Sequence, residues 1–423
     1  MNAQSILILY VVLFAIQFVW ETFLTLLNQR HVIAHSSNPP SFALSIMDRE
    51  TYARSVEYTL TRSRFGLISG TASAAFLLII ILTGSLGHLE SLVMQANIGL
   101  YTQGVLFFFL ISLIFGVFSL PFTLYSQFVI EERFGFNRMT LRLFLLDLLK
   151  GMLVSVALIT PLLYALFWFM DRAGSYWWIY AFLGFSAFEV IVMIIYPTLI
   201  APLFNKFSPL EEGSLREKII SLAEKLRFRT KGIFVMDGSK RSSHSNAYFT
   251  GIGRVKRIVL FDTLVQSMEE DQITAVLAHE IGHEKKNHVK KHLAFSMAAT
   301  LLGFWVLSLL LLYDPFFQAF GFTGSSYHAA VVLLSFCAGP FTFFLKPLMA
   351  LRSRKHEYEA DRFSVDAVGG AEGLKGALIR LGQKNLSNLT PHPWYSFYHY
   401  SHPTMAERLS AMEEHAKALE IAS

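Results

Sequence analysis

Residues 278–313 read AHEIGHEKKNHVKKHLAFSMAATLLGFWVLSLLLLY, a histidine motif that leads through a basic patch into a long apolar run. We expect a helix from Met268 to Lys291, on which His279 and His283 lie one turn apart on the same face. Both imidazoles can then reach one Zn²⁺, and Glu280 beside them can take a proton from a zinc-bound water. Alone, this HExxH pattern is equally compatible with an ordinary charged helix face, so the rest of the chain must decide.

The composition is that of a protein with several membrane spans, because 53% of the 423 residues are hydrophobic and only 16% are charged. The single cysteine, Cys337, lies in an apolar run, so a metal would have to be bound by His, Asp or Glu. The net charge of +5 comes from Lys and Arg spread over loops that flank apolar segments. This distribution argues for a lipid bilayer and against nucleic acid as a partner.

Seven apolar segments are long enough to cross about 30 Å of hydrocarbon. The first, within residues 1–30, lacks the basic start and small-residue cleavage site of a signal peptide, so we expect it to remain as a span. The other predicted spans are Phe65–Leu86, Gly104–Phe128, Gly151–Met170, Trp177–Ile200, Phe295–Tyr313 and Tyr327–Leu345. The sequence therefore predicts a mostly α-helical polytopic membrane protein.

Basic residues alternate between the two sides of these spans. Residues 88–103, after the second span, carry neither Lys nor Arg, whereas the connection after the first span carries Arg30, Arg49, Arg54, Arg62 and Arg64. The positive-inside rule then places the N-terminus outside and the C-terminus in the cytoplasm. We accordingly divide the chain into spans one to five (1–203), a cytoplasmic α+β segment with the HExxH helix (204–294), spans six and seven (295–350) and a cytoplasmic helical segment (351–423).

The segment 204–294 combines helix and strand patterns. Glu211–Leu226 has the period of an amphipathic helix, and Gly232–Asp237 and Arg257–Asp262 are typical of buried strands. Residues 242–251 can form a third strand, with a turn at residues 251–253. A small sheet beside the HExxH helix is suggestive, because a free edge strand can bind an extended peptide through its main chain.

A catalytic zinc site needs a third protein ligand and one open position for water. Glu357 and Asp361 lie one turn apart on a predicted helix that continues from the seventh span, on the same side of the membrane as the HExxH motif. Glu357 can ligate zinc, while Asp361 can accept the free ring N–H of a ligand histidine and fix its tautomer. Spacing alone leaves a solvated charged helix as the alternative.

The chain closely resembles one known family, the type I CaaX prenyl endopeptidases, which are integral-membrane zinc metalloproteases. The resemblance covers nearly the whole chain and follows the family's order of motifs. Five blocks carry it: FVIEERFGFN (128–137), SSHSNAYFTG (242–251), the HExxH motif, SRKHEYEAD (353–361) and SHPTMAERL (401–409). The resemblance implies that His279, His283 and Glu357 bind one zinc ion, that Glu280 is the catalytic base and that Asp361 supports a ligand histidine.

The same resemblance implies that Asn246 belongs to the substrate-binding edge and that His402 and Arg408 belong to the active-site wall. Negative charge develops on the scissile carbonyl oxygen and needs a donor besides zinc, and we expect His402 to supply it. Arg408 is expected to orient His402 or a peptide carboxylate. A surface arginine in a C-terminal helix is the alternative.

The architecture implied by the resemblance is a bundle of seven helices that encloses an intramembrane chamber, with the zinc site at its cytoplasmic end. The implied activity is removal of the last three residues of prenylated CaaX proteins. A bacterial quality-control metalloprotease without prenyl specificity is the alternative, and a seven-span receptor or transporter is the alternative from another class. The C-terminus, Leu419–Ser423, has no dilysine retrieval signal, which favours a bacterial inner membrane over the endoplasmic reticulum.

Overall fold

The computed structural model describes residues 1–250 and 256–422, and seven helices of this part are long and apolar enough to cross a membrane. Each lies at a predicted span, so the mostly helical seven-span fold is confirmed. The spanning helices are Ala3–Ser36, Arg49–Leu82, Leu100–Tyr125, Leu141–Arg172, Trp177–Ile195, His288–Leu310 and Tyr327–Thr342. The shorter helices that connect or flank them are Ser41–Ile46, Ser85–Met94, Ala201–Phe204, Ser214–Lys225, Asp262–Ser267, Asp314–Ala319, Glu372–Lys384, Pro393–His399 and Met405–Ala422.

The second spanning helix begins at Arg49, well before the predicted start at Phe65. Asp48 caps it, because its Oδ1 accepts a hydrogen bond of 2.7 Å from the amide of Thr51. The added turns are too polar for lipid, and they bury Tyr52 against residues outside the membrane bundle. A hydropathy pattern finds only the apolar part of such a helix and therefore misses this extension.

The start of the helix Ser85–Met94 touches the turn that contains Gly321. A Cβ atom at Gly87 would lie 1.8 Å from the carbonyl oxygen of Gly321. We therefore expect Gly87→Ala to lower stability by about 1–3 kcal/mol through overpacking, seen as a lower unfolding midpoint in detergent. Gly66→Ala is the control, because a Cβ at Gly66 meets nothing within 4 Å. Equal midpoints for the two variants would contradict this contact.

A four-stranded sheet lies outside the membrane bundle, in the order β1–β2–β4–β3. The strands are β1 (Phe207–Pro209), β2 (Ile233–Met236), β3 (Ala247–Thr250) and β4 (Arg257–Phe261). β2 and β4 are parallel, and the two outer pairs are antiparallel. The three predicted strands are present, and β3 lies at an edge as expected. β1 escaped prediction because it is only three residues long and contains Pro209, and the turn predicted at residues 251–253 lies outside the described residues.

The HExxH helix spans Glu270–Lys285, so the prediction of one continuous helix to Lys291 is wrong. A capping box of Glu269 and Gln272 begins it. It ends because Asn287 adopts a left-handed conformation with a φ of 56°, after which the sixth spanning helix starts at His288. Asparagine tolerates this conformation better than most residues, and the break turns the chain from the zinc motif into the membrane.

The HExxH helix is buried in a core formed outside the bundle. It packs against the amphipathic helix Ser214–Lys225, the edge strand β3 and the helix Lys346–Val368, which continues from the seventh span. This core also takes in residues from the ends of the first two spanning helices, such as Val32 and Tyr52. The division into four segments stays a prediction, because the core combines residues from several of them.

Candidate active site and metal centre

Three candidate ligand atoms converge where the HExxH helix crosses the helix Lys346–Val368. Nε2 of His279 lies 3.1 Å from Nε2 of His283, and Glu357 oxygens lie 3.5 and 3.4 Å from these two nitrogens. A tetrahedral zinc ion with N and O ligands at about 2.0–2.2 Å needs ligand atoms about 3.3–3.6 Å apart. The two histidine–glutamate separations fall in this range and the histidine–histidine separation lies just below it, so the three side chains fit zinc. They form the only such group found among the residues that the structure describes.

Small residues allow the two helices that carry these ligands to approach closely. A Cβ atom at Gly282 would lie 3.2 Å from Cα of Ala360 and 3.1 Å from Cβ of Phe363. Beside this contact, the hydroxyl of Ser364 donates a buried hydrogen bond of 2.7 Å to the carbonyl of Ala275. The glycine inside the HExxH motif thus has a packing role, since it lets Glu357 reach the two histidines.

Asp361 contacts a ligand histidine on one side and an arginine on the other. Its Oδ1 lies 2.8 Å from Nδ1 of His279, and its two oxygens accept hydrogen bonds of 2.9 and 2.6 Å from Nε and Nη2 of Arg408. The side chains of Asp361 and Arg408 are only 2% and 11% exposed. Arg408 is therefore not a surface arginine, and Asp361 has the predicted position behind His279.

The other ligand histidine is supported by residues that were not among the predicted site residues. Nδ1 of His283 lies 3.0 Å from Nδ1 of His288, and Nε2 of His288 lies 3.0 Å from Oε2 of Glu359. His288 is 4% exposed, and its ring stacks on His356 with 4.0 Å between the ring centres. A helical pattern could not reveal this contact, because the break at Asn287 folds His288 back onto the motif.

The electrostatics of the HExxH motif suit acid–base chemistry. Burial raises the pKa of Glu280, although the neighbouring His279 and His283 oppose this shift. Burial would lower the pKa of His279, but the carboxylates of Asp361 and Glu357 outweigh it and raise that pKa to about 9. Two carboxylates thus face the ligand histidine, a strongly negative setting that favours a bound cation.

The remaining predicted site residues lie at the wall of a cavity. Nδ1 of His402 is 2.8 Å from Oε2 of Glu357, and the His402 side chain is 62% exposed. Asn246 is exposed and directly precedes β3, where its side-chain oxygen accepts a hydrogen bond of 2.9 Å from the amide of Ala247. Asn246, His402 and Arg408 all line the cavity. The structure therefore brings every predicted site residue to one region of the molecule.

The cavity has a volume of about 1410 Å³. Its walls are formed by the first two spanning helices, by residues 244–246 before β3 and by residues in the range 378–408. The membrane-side wall mixes apolar side chains such as Phe14 and Leu77 with polar ones such as Gln17 and Thr71. An extended peptide with an apolar group attached can be accommodated by such a surface.

The fold and the site together define a class of protein, the integral-membrane zinc metallopeptidases. Two family profiles match the chain: "CAAX prenyl protease N-terminal, five membrane helices" over residues 28–206, and "Peptidase family M48" over residues 209–416. The chain belongs to the CAAX prenyl protease 1 family of M48 metallopeptidases. The receptor and transporter interpretations are thereby set aside.

Individual relatives match over nearly their full length. The chain is 38% identical to CAAX prenyl protease 1 of Saccharomyces cerevisiae, covering 94% of this chain and 93% of that protein. It is 34% identical to the human CAAX prenyl protease 1 homolog at the same coverage. The crystal structure of S. mikatae Ste24p superposes with a TM-score of 0.88 at 35% identity, covering 97% of this chain and 99% of that one.

Proposed function

We propose that this zinc metallopeptidase cleaves proteins that end in a prenylated CaaX sequence and releases their last three residues. The names of its relatives support this substrate class. The observation that carries the proposal is a zinc-compatible ligand set that adjoins, through His402, a cavity walled partly by membrane-spanning helices. A lipid-bearing peptide can reach such a site from the bilayer with its apolar group still against apolar surface.

We assign one zinc ion per chain to His279, His283 and Glu357. When bound, zinc acidifies a water molecule and polarises the scissile carbonyl. Glu280 accepts a proton from the attacking water and returns it to the leaving amine, a task suited to a carboxylate whose pKa is raised by burial. Asp361, whose Oδ1 lies 2.8 Å from Nδ1 of His279, favours the proton on that nitrogen, which leaves Nε2 free as a ligand.

The other predicted site residues take roles that follow from their contacts. His402, exposed at the cavity wall, donates to the carbonyl oxygen on which negative charge develops. Asn246 precedes β3, the edge strand of the described sheet, and receives the main chain of the peptide. Arg408 was expected to orient His402 or a peptide carboxylate, but two of its guanidinium nitrogens bind Asp361. We therefore assign it a positioning role on Asp361 in place of substrate binding.

We infer an orientation with the N-terminus outside and the zinc site and C-terminus in the cytoplasm, supported by the alternation of basic residues between loops. The preference for a bacterial inner membrane stays a prediction. The relatives described above are from eukaryotes, and their names give no membrane.

The proposal is tested with matched farnesylated and unmodified CaaX peptides and the purified protein, with Glu280→Ala as the inactive control. We expect kcat/KM to be at least about tenfold higher for the farnesylated peptide, because burial of as few as two methylene groups is worth that much. The released product should be the last three residues. Equal rates on both peptides would favour a membrane-protein quality-control protease without prenyl specificity.

A further inference from the structure

A basic cluster lies on the cavity wall beside the start of the edge strand. Arg62, on the second spanning helix, and His244, on the loop before β3, both line the cavity. Both lie close to Glu131, with 3.8 Å between Nε of Arg62 and Oε1, and 3.6 Å between Nε2 of His244 and Oε2. Glu131 also accepts hydrogen bonds of 2.9 and 3.1 Å from the hydroxyl of Tyr58.

Arg62 retains donors for a further partner. Its contact with Glu131 is long, its Nη1 donates a hydrogen bond of 3.2 Å to Tyr58, and its side chain is 58% exposed. The other arginine of the described cavity wall, Arg408, is bound by Asp361 through two nitrogens. The Glu131 carboxylate also raises the pKa of His244, although burial opposes this shift. With Arg62 and a protonated His244 on either side of one carboxylate, the cluster has a net positive charge and favours an anion.

The direction of a bound peptide would bring its C-terminus to this cluster. β3 is antiparallel to β4, and no strand among the described residues pairs with its other side. Antiparallel pairs outnumber parallel ones two- to threefold. A peptide that pairs antiparallel with β3 runs with its C-terminal end toward Asn246 and then His244. Its C-terminal residues would therefore leave the strand where Arg62 lies.

The distance between the start of β3 and His244 also agrees with the removal of three residues. His244 precedes Ala247, the first residue of β3, by three positions, and three extended residues span about 10 Å. β3 packs against the HExxH helix, so a bond near the start of β3 lies close to the ligand set. A peptide cut there, three residues before its end, would place its terminal carboxylate beside His244.

We propose that Arg62, with His244, forms a subsite for the C-terminal carboxylate of the peptide substrate. The inference rests on the proposed cleavage of CaaX peptides and explains how the enzyme would measure three residues from the end of a chain. The guanidinium of an arginine binds a carboxylate through two parallel hydrogen bonds. Because the contact between Arg62 and Glu131 is long, the guanidinium of Arg62 remains available for such a partner.

The test compares one farnesylated CaaX peptide with a free acid and with an amidated C-terminus. We expect the wild-type protein to show a KM about 10- to 100-fold lower for the acid, from charge-assisted hydrogen bonds. Arg62→Gln should raise the KM for the acid to that for the amide. Arg62→Lys should retain part of the discrimination. Arg64→Gln is the matched control, because Arg64 is exposed on the same helix but does not line the cavity.

The outcomes distinguish a failure of the subsite proposal from a failure of the proposed function. If Arg62→Gln discriminates between acid and amide as the wild type does, the carboxylate binds elsewhere and the subsite is overturned. Equal losses on both peptides with a lower unfolding midpoint would assign Arg62 a structural role and also overturn it. If the wild-type protein cleaves neither peptide, the proposed function itself fails.

A second inference is carried independently by the contacts behind His283. With Nε2 of His283 free to bind metal, its proton resides on Nδ1 and is donated to Nδ1 of His288, 3.0 Å away. The proton of a neutral His288 then resides on Nε2, which donates to Glu359 at 3.0 Å. We infer that His288 and Glu359 are positioning residues that fix the tautomer and orientation of His283 for zinc binding.

The series of hydrogen bonds from His283 through His288 to Glu359 is tested by the zinc affinity, measured by competition with a chromogenic chelator. We expect Glu359→Ala and His288→Leu each to weaken zinc binding about 10- to 100-fold, and the double variant to lose little more than His288→Leu alone. Glu359→Gln should retain part of the affinity, because its amide oxygen still accepts from His288. The control is His292→Ala, because His292 is exposed and lies one helical turn after His288. Unchanged affinity in Glu359→Ala, or additive losses in the double variant, would overturn the inference.

Discussion

Replacement of Glu280 by glutamine is expected to reduce peptide cleavage by about 10²- to 10⁴-fold, the usual contribution of a general base. Glutamine keeps the size of the side chain but cannot accept the proton of the attacking water. Glu280 is not one of the three grouped ligand residues, so zinc content should remain that of the wild type. The measurement is kcat on a CaaX peptide together with bound zinc per chain.

Glu284→Gln provides the matched control for this variant. Glu284 lies one turn further along the same helix and pairs with Lys256 rather than with the ligand set. Its loss should leave cleavage within about twofold, because this ion pair does not contact the ligand set. Glu280→Gln protein that cleaves at the wild-type rate would remove Glu280 from the mechanism. Loss of zinc from the same protein would instead assign Glu280 to metal binding.

Replacement of Asp361 by alanine is expected to have the largest effect on stability. It leaves the guanidinium of Arg408 buried without its partner, and breaking a buried ion pair typically costs about 3–5 kcal/mol. It also removes the acceptor at Nδ1 of His279, which should weaken zinc binding about 10- to 100-fold. The measurements are the unfolding midpoint without zinc and the zinc dissociation constant.

The double variant Asp361→Leu with Arg408→Met separates these two effects. An apolar pair of similar volume often replaces a buried ion pair without loss of stability, so the midpoint should recover toward that of the wild type. Zinc affinity should stay low, because leucine cannot accept a hydrogen bond from His279. Recovery of both properties would show that Asp361 acts on zinc only through the stability of the fold.

The elements that could be predicted are those with a strong local signal. The lengths of the apolar segments predicted all seven spans. The spacing of His279, His283, Glu357 and Asp361 predicted two helices whose ligands face each other. The resemblance then joined these motifs into one site. Each signal is contained in a few consecutive residues, which is why it can be recognised without knowing the fold.

Features that depend on contacts between distant residues could not be predicted. The pairing of Arg408 with Asp361 joins positions 47 residues apart, and that of His288 with Glu359 joins positions 71 apart. The break at Asn287 depends on one backbone conformation in a sequence that otherwise favours a continuing helix. The polar start of the second spanning helix is stabilised by Tyr52 packing outside the membrane, and nothing in its hydropathy indicates this.

The lengths of the first two spanning helices set the height at which a substrate is cut. Each contains 34 residues, or about 51 Å of helix, whereas the hydrocarbon layer is only about 30 Å thick. One end of each helix is built into the core around the zinc site, so much of the surplus length stands on that side of the bilayer. The two helices thus act as a spacer of fixed length between lipid and metal. On the proposed function, the prenyl group stays against the apolar cavity wall formed by these helices while its cysteine reaches the metal at their polar end, which favours substrates with an extended tail ahead of that cysteine.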